Sequence, residues 1–95
     1  MLANFNTVIF RTSDTTGLTC AVWPYRRESL QQSRLASLTP DGRTTTFATM
    51  NYHQLVSLTR PATASESTPL LAALAAAGHS PNVAHRLDYR AYNNR

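Results

Sequence analysis

The stretch of residues 7–25, TVIFRTSDTTGLTCAVWPY, constrains the fold more than any other part of the chain. Two apolar runs, 7–10 and 18–23, flank a polar segment that ends in Gly17. β-Branched and aromatic residues favour strands, and Gly17 accepts the positive φ that a tight turn requires. We therefore predict a β-hairpin with strands at 5–12 and 18–23. Its contiguous apolar residues indicate that both faces are covered.

A second hairpin is predicted at about 33–50. Residues 39–42, Thr-Pro-Asp-Gly, have turn composition, because proline suits the second turn position and glycine the left-handed one. The threonine-rich segment 43–50 after the turn is typical of a strand. Residues 29–39 before it also fit a helix, and that alternative stays open. The first hairpin is expected to end at Pro24, since proline cannot donate to a central ladder.

A short helix is predicted at 52–60. Asn51 is a good N-cap residue, and Gln54 follows three residues later, as in a capping box. Pro61 is expected to stop this helix. Residues 61–68 are small, polar and without periodicity, which is typical of a linker.

Two further helix-start signals follow the linker-like segment. The Thr-Pro pair at 68–69 places a cap residue before a proline in the first turn, and Gly78 suits a helix end. These residues predict a helix at 69–77. The Ser-Pro pair at 80–81 repeats the signal and predicts a helix over 81–92, although the alternating order of this segment also fits a strand.

The predicted fold class is α+β, with a small antiparallel sheet from two hairpins followed by two or three helices. Its 95 residues are enough for one domain with a modest core. We expect a single domain over 1–95, with a β-rich half at 5–50, a mainly helical half at 51–95 and the linker-like 61–68 within it.

The chain is basic, with a net charge of +4, and all nine basic residues are arginine. Arginine suits phosphates and carboxylates and stacks on aromatic rings, so DNA or an acidic protein is an expected partner. A generic solvated surface is the alternative. Only 15% of residues are charged, which indicates that a partner, such as another copy of the chain, covers part of the surface.

The sequence also favours a cytoplasmic location. A single cysteine, Cys20, excludes an internal disulfide and indicates a reducing compartment. The N-terminal segment lacks the basic region of a signal peptide. No apolar run approaches the ~20 residues that cross a bilayer, so we expect no membrane partner.

Residues 69–92 resemble a helix-turn-helix, with helices at 69–77 and 81–92 and a tight turn at Gly78. In that family the N-terminal part of the second helix enters the major groove. Arginine and asparagine also match guanine and adenine edges. The resemblance implies DNA binding through Asn82, His85, Arg86, Tyr89 and Arg90. An ordinary helical hairpin packed on a sheet is the alternative.

An aromatic and basic cluster at Trp23, Tyr25, Arg26 and Arg27 is a second candidate site. Tryptophan, tyrosine and arginine dominate the hot spots of protein interfaces, so this cluster predicts a protein-binding surface. The alternative places Trp23 in the core and leaves the two arginines in solvent.

The sequence contains no catalytic, metal or cofactor motif, and we predict that the protein is not an enzyme. Cys20 lies in the middle of a predicted strand, where cysteine is usually an inert small hydrophobe. His53, His79 and His85 are too scattered for a recognised zinc spacing. Asp14 is expected to be a turn residue.

This profile of a short, single-domain chain without catalytic motifs resembles small accessory proteins of phages and phage satellites. The resemblance implies a non-catalytic regulatory protein, and with the C-terminal motif it predicts a DNA-binding dimer. The alternative is a protein-binding adaptor or inhibitor that redirects a phage or host complex, such as a packaging enzyme, a polymerase or a defence nuclease.

Overall fold

The structure is a computed structural model that describes residues 6–29, 32–38 and 45–84, with the side chains of 26–29 and 45 outside that description. Six strands and two helices lie in these ranges. Their order is β1 (Thr7–Thr12), β2 (Thr19–Ser29), β3 (Gln32–Leu38), β4 (Thr45–Asn51), α1 (Tyr52–Leu58), β5 (Arg60–Pro61), α2 (Ala64–Ala76) and β6 (Asn82–Ala84). The α+β class is therefore confirmed.

All six strands belong to one sheet, in the order β4-β3-β2-β1-β5, with β6 also paired to β1. β1 pairs with β2 on one side. On its other side it pairs with β6 over Thr7–Ile9 and with β5 over Arg11–Thr12. The β6 pairing is parallel, whereas the other described pairings are antiparallel. Two strands from the second half of the chain, β5 and β6, thus pair with the side of β1 that faces away from β2.

Both predicted hairpins are present. β1 and β2 pair antiparallel and are joined by a turn in which the Gly17 N–H donates to the Ser13 carbonyl at 2.7 Å. Gly17 has a φ of +73°, so the turn uses the conformational freedom of glycine. β3 and β4 pair along their whole length. The predicted turn residues 39–42 lie outside the described residues.

The prediction that the first hairpin ends at Pro24 is wrong, because β2 continues to Ser29. The register with β3 shifts between Trp23 and Arg27. Such a bulge leaves residues out of the ladder, so a proline without an N–H is tolerated there. The Pro24 carbonyl still accepts a hydrogen bond from Ser33 Oγ at 3.4 Å.

The sheet is covered on both faces, as the contiguous apolar residues of β1 predict. α2 packs on one face, and α1 packs on the other. The cluster beneath α2 contains Val8, Phe10, Ala21, Trp23, Ala36, Leu70 and Leu74. The cluster beneath α1 contains Ile9, Val22, Tyr25, Tyr52 and Leu55. Alternate residues of β1 and β2 therefore enter opposite halves of the core.

The predicted helix after Asn51 is confirmed as α1, although it ends at Leu58. Asn51 Oδ1 accepts a hydrogen bond from the Gln54 N–H at 3.2 Å, as the capping pattern predicts. At the other end, Arg11 Nη2 donates to the Thr59 carbonyl at 2.6 Å. A strand residue of β1 thus supplies a cation to the carbonyl end of α1.

The prediction that a helix begins at residue 69 after a linker is wrong, because α2 begins at Ala64. Thr63 and Glu66 form a capping box in which each side chain accepts a hydrogen bond from the backbone N–H of the other. Pro61, at the start of the predicted linker, pairs with Arg11 in the sheet. Pro69 lies inside α2, where the missing N–H costs one intrahelical bond.

The chain after α2 returns to the sheet. Gly78 has a φ of +92°, and the His79 N–H donates to the Leu74 carbonyl at 2.9 Å, which ends the helix as predicted. Asn82–Ala84 then form β6, so the predicted second helix is wrong over these residues, because β1 offers them an open edge. Residues 85–92 of that helix lie outside the described residues. Neither α1 nor α2 has the length and apolarity of a membrane-spanning helix.

Candidate functional site

Four side chains meet on the face of the sheet that carries α2, beyond the end of that helix. The ring centroid of Phe47 lies 6.3 Å from that of Trp23 and 5.5 Å from that of His79. The guanidinium carbon of Arg34 lies 4.5 Å from the Phe47 centroid. We call Arg34, Phe47 and His79 the aromatic platform, with Trp23 beneath it.

The strand register explains why these residues meet. Arg34 pairs with Trp23 on β2 and with Thr49 on β4, and Phe47 pairs with Ala36. Side chains at alternate positions of adjacent antiparallel strands share a face, so Arg34 and Phe47 are diagonal neighbours. α2 stops at Ala76, and the following turn brings His79 to the Phe47 ring.

The platform is open to solvent above a buried base. Phe47 is 40% exposed, whereas Trp23 is 2% exposed. Arg34, Phe47, Ala48 and Thr49 line a shallow open depression of about 390 Å³. The Phe47 ring is therefore partly accessible from solvent, with the Arg34 guanidinium over the ring and the buried Trp23 beneath it.

The platform combines a cation with an aromatic ring. A guanidinium near an aromatic ring is attracted to the negative face of that ring and can itself stack on planar groups. Arg34 and Phe47 together present a cation and a π-surface. In proteins generally, such a combination can bind planar, negatively charged groups.

Asn6 connects the platform to the beginning of the C-terminal segment. Trp23 Nε1 donates to Asn6 Oδ1 at 3.4 Å, and Asn6 Nδ2 donates to the Ser80 carbonyl at 2.8 Å. The Asn82 N–H donates to the Asn6 carbonyl at 3.0 Å. Two residues predicted in separate sites, Trp23 and Asn82, are thus both anchored to Asn6.

Of the five residues predicted to bind DNA, one, Asn82, lies among the described residues. Asn82 is exposed and lies on β6 rather than on a helix. The other four members lie outside the described residues, and their role stays a prediction. They are His85, Arg86, Tyr89 and Arg90.

The predicted protein-binding cluster does not form one exposed surface. Trp23 and Tyr25 are 2% and 8% exposed, so both rings are buried. They also belong to the two core clusters on opposite faces of the sheet. The alternative that Trp23 is a core residue fits its burial. Arg26 and Arg27 lie in β2, and their side chains lie outside the described residues.

Sequence reasoning missed Arg34 and Phe47. Phe47 is the only aromatic residue in the threonine-rich strand β4, which is a signal that the sequence did contain. Arg34 lies thirteen positions earlier, and only the strand register brings it to the ring. The register of β3 and β4 depends on a turn whose length the sequence suggests without fixing it.

Cys20 is poorly placed for nucleophilic chemistry. Burial raises the pKa of its thiol to about 11, and the charge of Arg11 only partly opposes this effect. The thiol is therefore protonated at neutral pH, whereas the thiolate is the nucleophile. In the described part of the chain, no three His, Cys, Asp or Glu side chains cluster as metal ligands.

A charged network holds the sheet edge to the start of α2. Arg60 donates to Asp14 Oδ1 at 2.8 Å and to both carboxylate oxygens of Glu66, at 2.8 and 2.6 Å. The bond from Arg60 lowers the pKa of Glu66 to about 2, with help from the Thr63 N–H. This network joins the first turn, β5 and α2, and it is structural.

Comparison of the chain with models of protein families, with curated proteins and with solved structures finds no match.

Proposed function

We propose that this protein is a non-catalytic nucleic-acid-binding protein whose aromatic platform stacks on an unpaired base. The observation that carries the proposal is the half-exposed Phe47 ring, with the Arg34 guanidinium 4.5 Å from its centroid. Proteins bind single strands by stacking bases on aromatic rings and arginine planes that lie on an open surface.

The charge of the chain supports the same partner. The net charge is +4, and Arg86, Arg90 and Arg95 follow β6 in the sequence. Asn6 ties the start of β6 to Trp23 beneath the platform. Arginines in this segment can neutralise phosphates. Asn82, Arg86 and Arg90 remain proposed contacts to nucleic acid. The proposal no longer includes a recognition helix that begins at residue 81.

The proposal is tested by fluorescence anisotropy with labelled single strands of about 16 nucleotides and with a duplex of equal length. We expect the single strand to bind more tightly, because its bases are free to stack. Affinity is expected to fall as salt rises from about 50 to about 200 mM, since phosphate contacts release counterions. Phe47→Ala is expected to raise the Kd about 5-fold to about 150-fold, which corresponds to losing one stacked base.

Two variants provide matched controls. Leu58 is 61% exposed on α1, which packs on the opposite face, so Leu58→Ala is expected to leave the Kd unchanged. Arg34→Lys keeps the charge and loses the planar group, so it is expected to weaken binding while the salt dependence persists. Absence of binding at low salt, or equal affinities for Phe47→Ala and Leu58→Ala, would reject the proposal.

A protein-binding adaptor is the second candidate function. The exposed Phe47 beside Arg34 favours it, because aromatic residues and arginine are the types enriched in interface hot spots. If nucleic acid does not bind at low salt, the protein-binding adaptor remains as the candidate function. The resemblance to accessory proteins of phages and phage satellites stays a prediction.

A further inference from the structure

β4 forms an edge of the sheet. Among the described residues it pairs with β3 alone, at the end of the strand order. Its residues 46–49 are all exposed. An edge strand presents a row of N–H and C=O groups that can pair with another chain.

β4 itself carries neither the charged or proline residues nor the bulge by which proteins often protect such an edge. Its sequence, TTFATMN, contains no charged residue and no proline. All seven residues pair with β3 without a register shift, so no bulge turns the strand away. Long, uncharged and regular edges are sites of pairing between chains.

From these features we infer that β4 pairs antiparallel with β4 of a second copy of this chain and joins two sheets edge to edge. A two-fold axis brings the same surface of both copies together. Centred on Ala48, the middle residue, the pairing uses all seven positions of each strand. It places Ala48 opposite Ala48 and Phe47 opposite Thr49.

The composition of β4 argues for a second copy as the occupant. Close to a two-fold axis a charged residue lies opposite or diagonal to its own copy, and like charges directly opposite each other destabilise a strand pair. β4 has no charge, and its central alanine is small, so its own sequence is compatible with itself. The low charged fraction of the chain, 15%, agrees with a surface that another copy covers.

The pairing also extends the aromatic platform, a consequence that rests on the proposed function. Phe47 and Thr49 share the face that carries α2, so the two-fold axis places both Phe47 rings on one face. They are diagonal neighbours, with a backbone separation of about 7–8 Å. Two platforms then form one surface for a single strand longer than one copy accommodates.

Sedimentation velocity without nucleic acid tests the pairing, over about 1 μM to about 1 mM protein, because a strand pair is a small and weak interface. Wild type is expected to change from monomer to dimer within this range. Ala48→Glu and Ala48→Lys are each expected to be monomeric, since like charges face each other at the axis. An equimolar mixture of the two variants is expected to restore the dimer.

Ala75→Glu is the matched control, because it adds the same charge at an exposed position of α2 and is expected to remain dimeric. Circular dichroism establishes that each variant is folded. As a second measurement, Ala48→Cys is expected to form a disulfide between copies, because Cβ atoms that face each other across the axis approach the required ~4 Å. Ala75→Cys is expected to stay uncross-linked under the same oxidation.

Three results would overturn the inference. They are a wild-type protein that stays monomeric throughout the range, a dimer that persists in Ala48→Glu, and a mixture that fails to reassociate. Pairing of β4 with an uncharged strand of another protein would give the first result. The sedimentation experiment contains no nucleic acid. A protein that does not dimerise therefore leaves the proposed function untouched, because that function is tested separately by the effect of Phe47→Ala on nucleic-acid binding.

Discussion

Replacing Trp23 with alanine removes the largest fully buried side chain of the described residues. Trp23 lies beneath α2 in the cluster with Leu70 and Leu74, and its ring supports Phe47 from below. The substitution leaves a cavity at the junction of the sheet, the helix and the platform. It also removes the donor to Asn6 Oδ1.

The size of the effect follows from burial. Truncating a buried tryptophan to alanine costs about 3–5 kcal/mol through lost transfer energy and the residual cavity. A chain of 95 residues has a free energy of unfolding of about 5–14 kcal/mol. We therefore expect Trp23→Ala to lose between about a fifth and nearly all of the stability. Trp23→Phe keeps most of the ring and is expected to lose about 1–2 kcal/mol.

Urea denaturation followed by far-ultraviolet circular dichroism measures these losses. The chain has one tryptophan, so intrinsic tryptophan fluorescence is lost in both Trp23 variants. Phe47→Ala serves as a control of the same chemical type, and its loss is expected to stay near 1 kcal/mol because the ring is 40% exposed.

A Trp23→Ala variant that loses less than about 1 kcal/mol would refute the assignment of Trp23 to the core. Such a result would make the residue available to a partner, as the predicted protein-binding cluster requires. A loss as large for Phe47→Ala as for Trp23→Ala would contradict the division into a buried base and an exposed platform.

Two further predictions concern the ionisable groups. The pKa of Glu66 in the folded protein, about 2, lies below its ordinary value of 4.5, so its ion pair with Arg60 contributes fully above about pH 4.5 and is lost as the pH falls toward 2. Glu66→Gln is expected to be less stable than wild type at pH 7 and to lose this difference between pH 4.5 and 2, as measured by urea denaturation; an unchanged difference would contradict the role of the pair. Because the pKa of Cys20 is raised to about 11, a thiol reagent at pH 8 is expected to react slowly with the folded protein and rapidly in denaturant, and equal rates would contradict the raised pKa.

Local sequence signals predicted the elements whose causes are local. The turn ending at Gly17 and the cap at Asn51 act within a few residues, and both hairpins and α1 form near the predicted positions. The start of α2 was missed although Thr63 and Glu66 have capping-box spacing. Pro69 suggested a later start, but it lies inside α2, and Glu66 of the capping box also binds Arg60.

Long-range pairing accounts for the other differences. β6 is a strand because the exposed side of β1 can pair with it, and no pattern within residues 82–84 encodes that partner. The sequence also did not predict which of two aromatic side chains is exposed, because Trp23 and Phe47 both lie in strands. Trp23 packs against Leu70 and Leu74 of α2, whereas Phe47 lies beside His79, which follows the end of that helix.

The completion of β1 by late segments has a consequence for folding. Asn6 and Ser80, whose hydrogen bond adjoins the β6 pairing, are 74 positions apart. Bringing such distant segments together lowers the conformational entropy of the chain before the stabilising contacts form. Topologies of this kind therefore fold slowly. During synthesis on the ribosome, β1 emerges early and keeps one side unpaired until residues 60–84 have followed. We therefore expect a folding intermediate in which β1, the most apolar described strand, has an unpaired edge that can pair with the wrong segment. Chaperones would act on that intermediate.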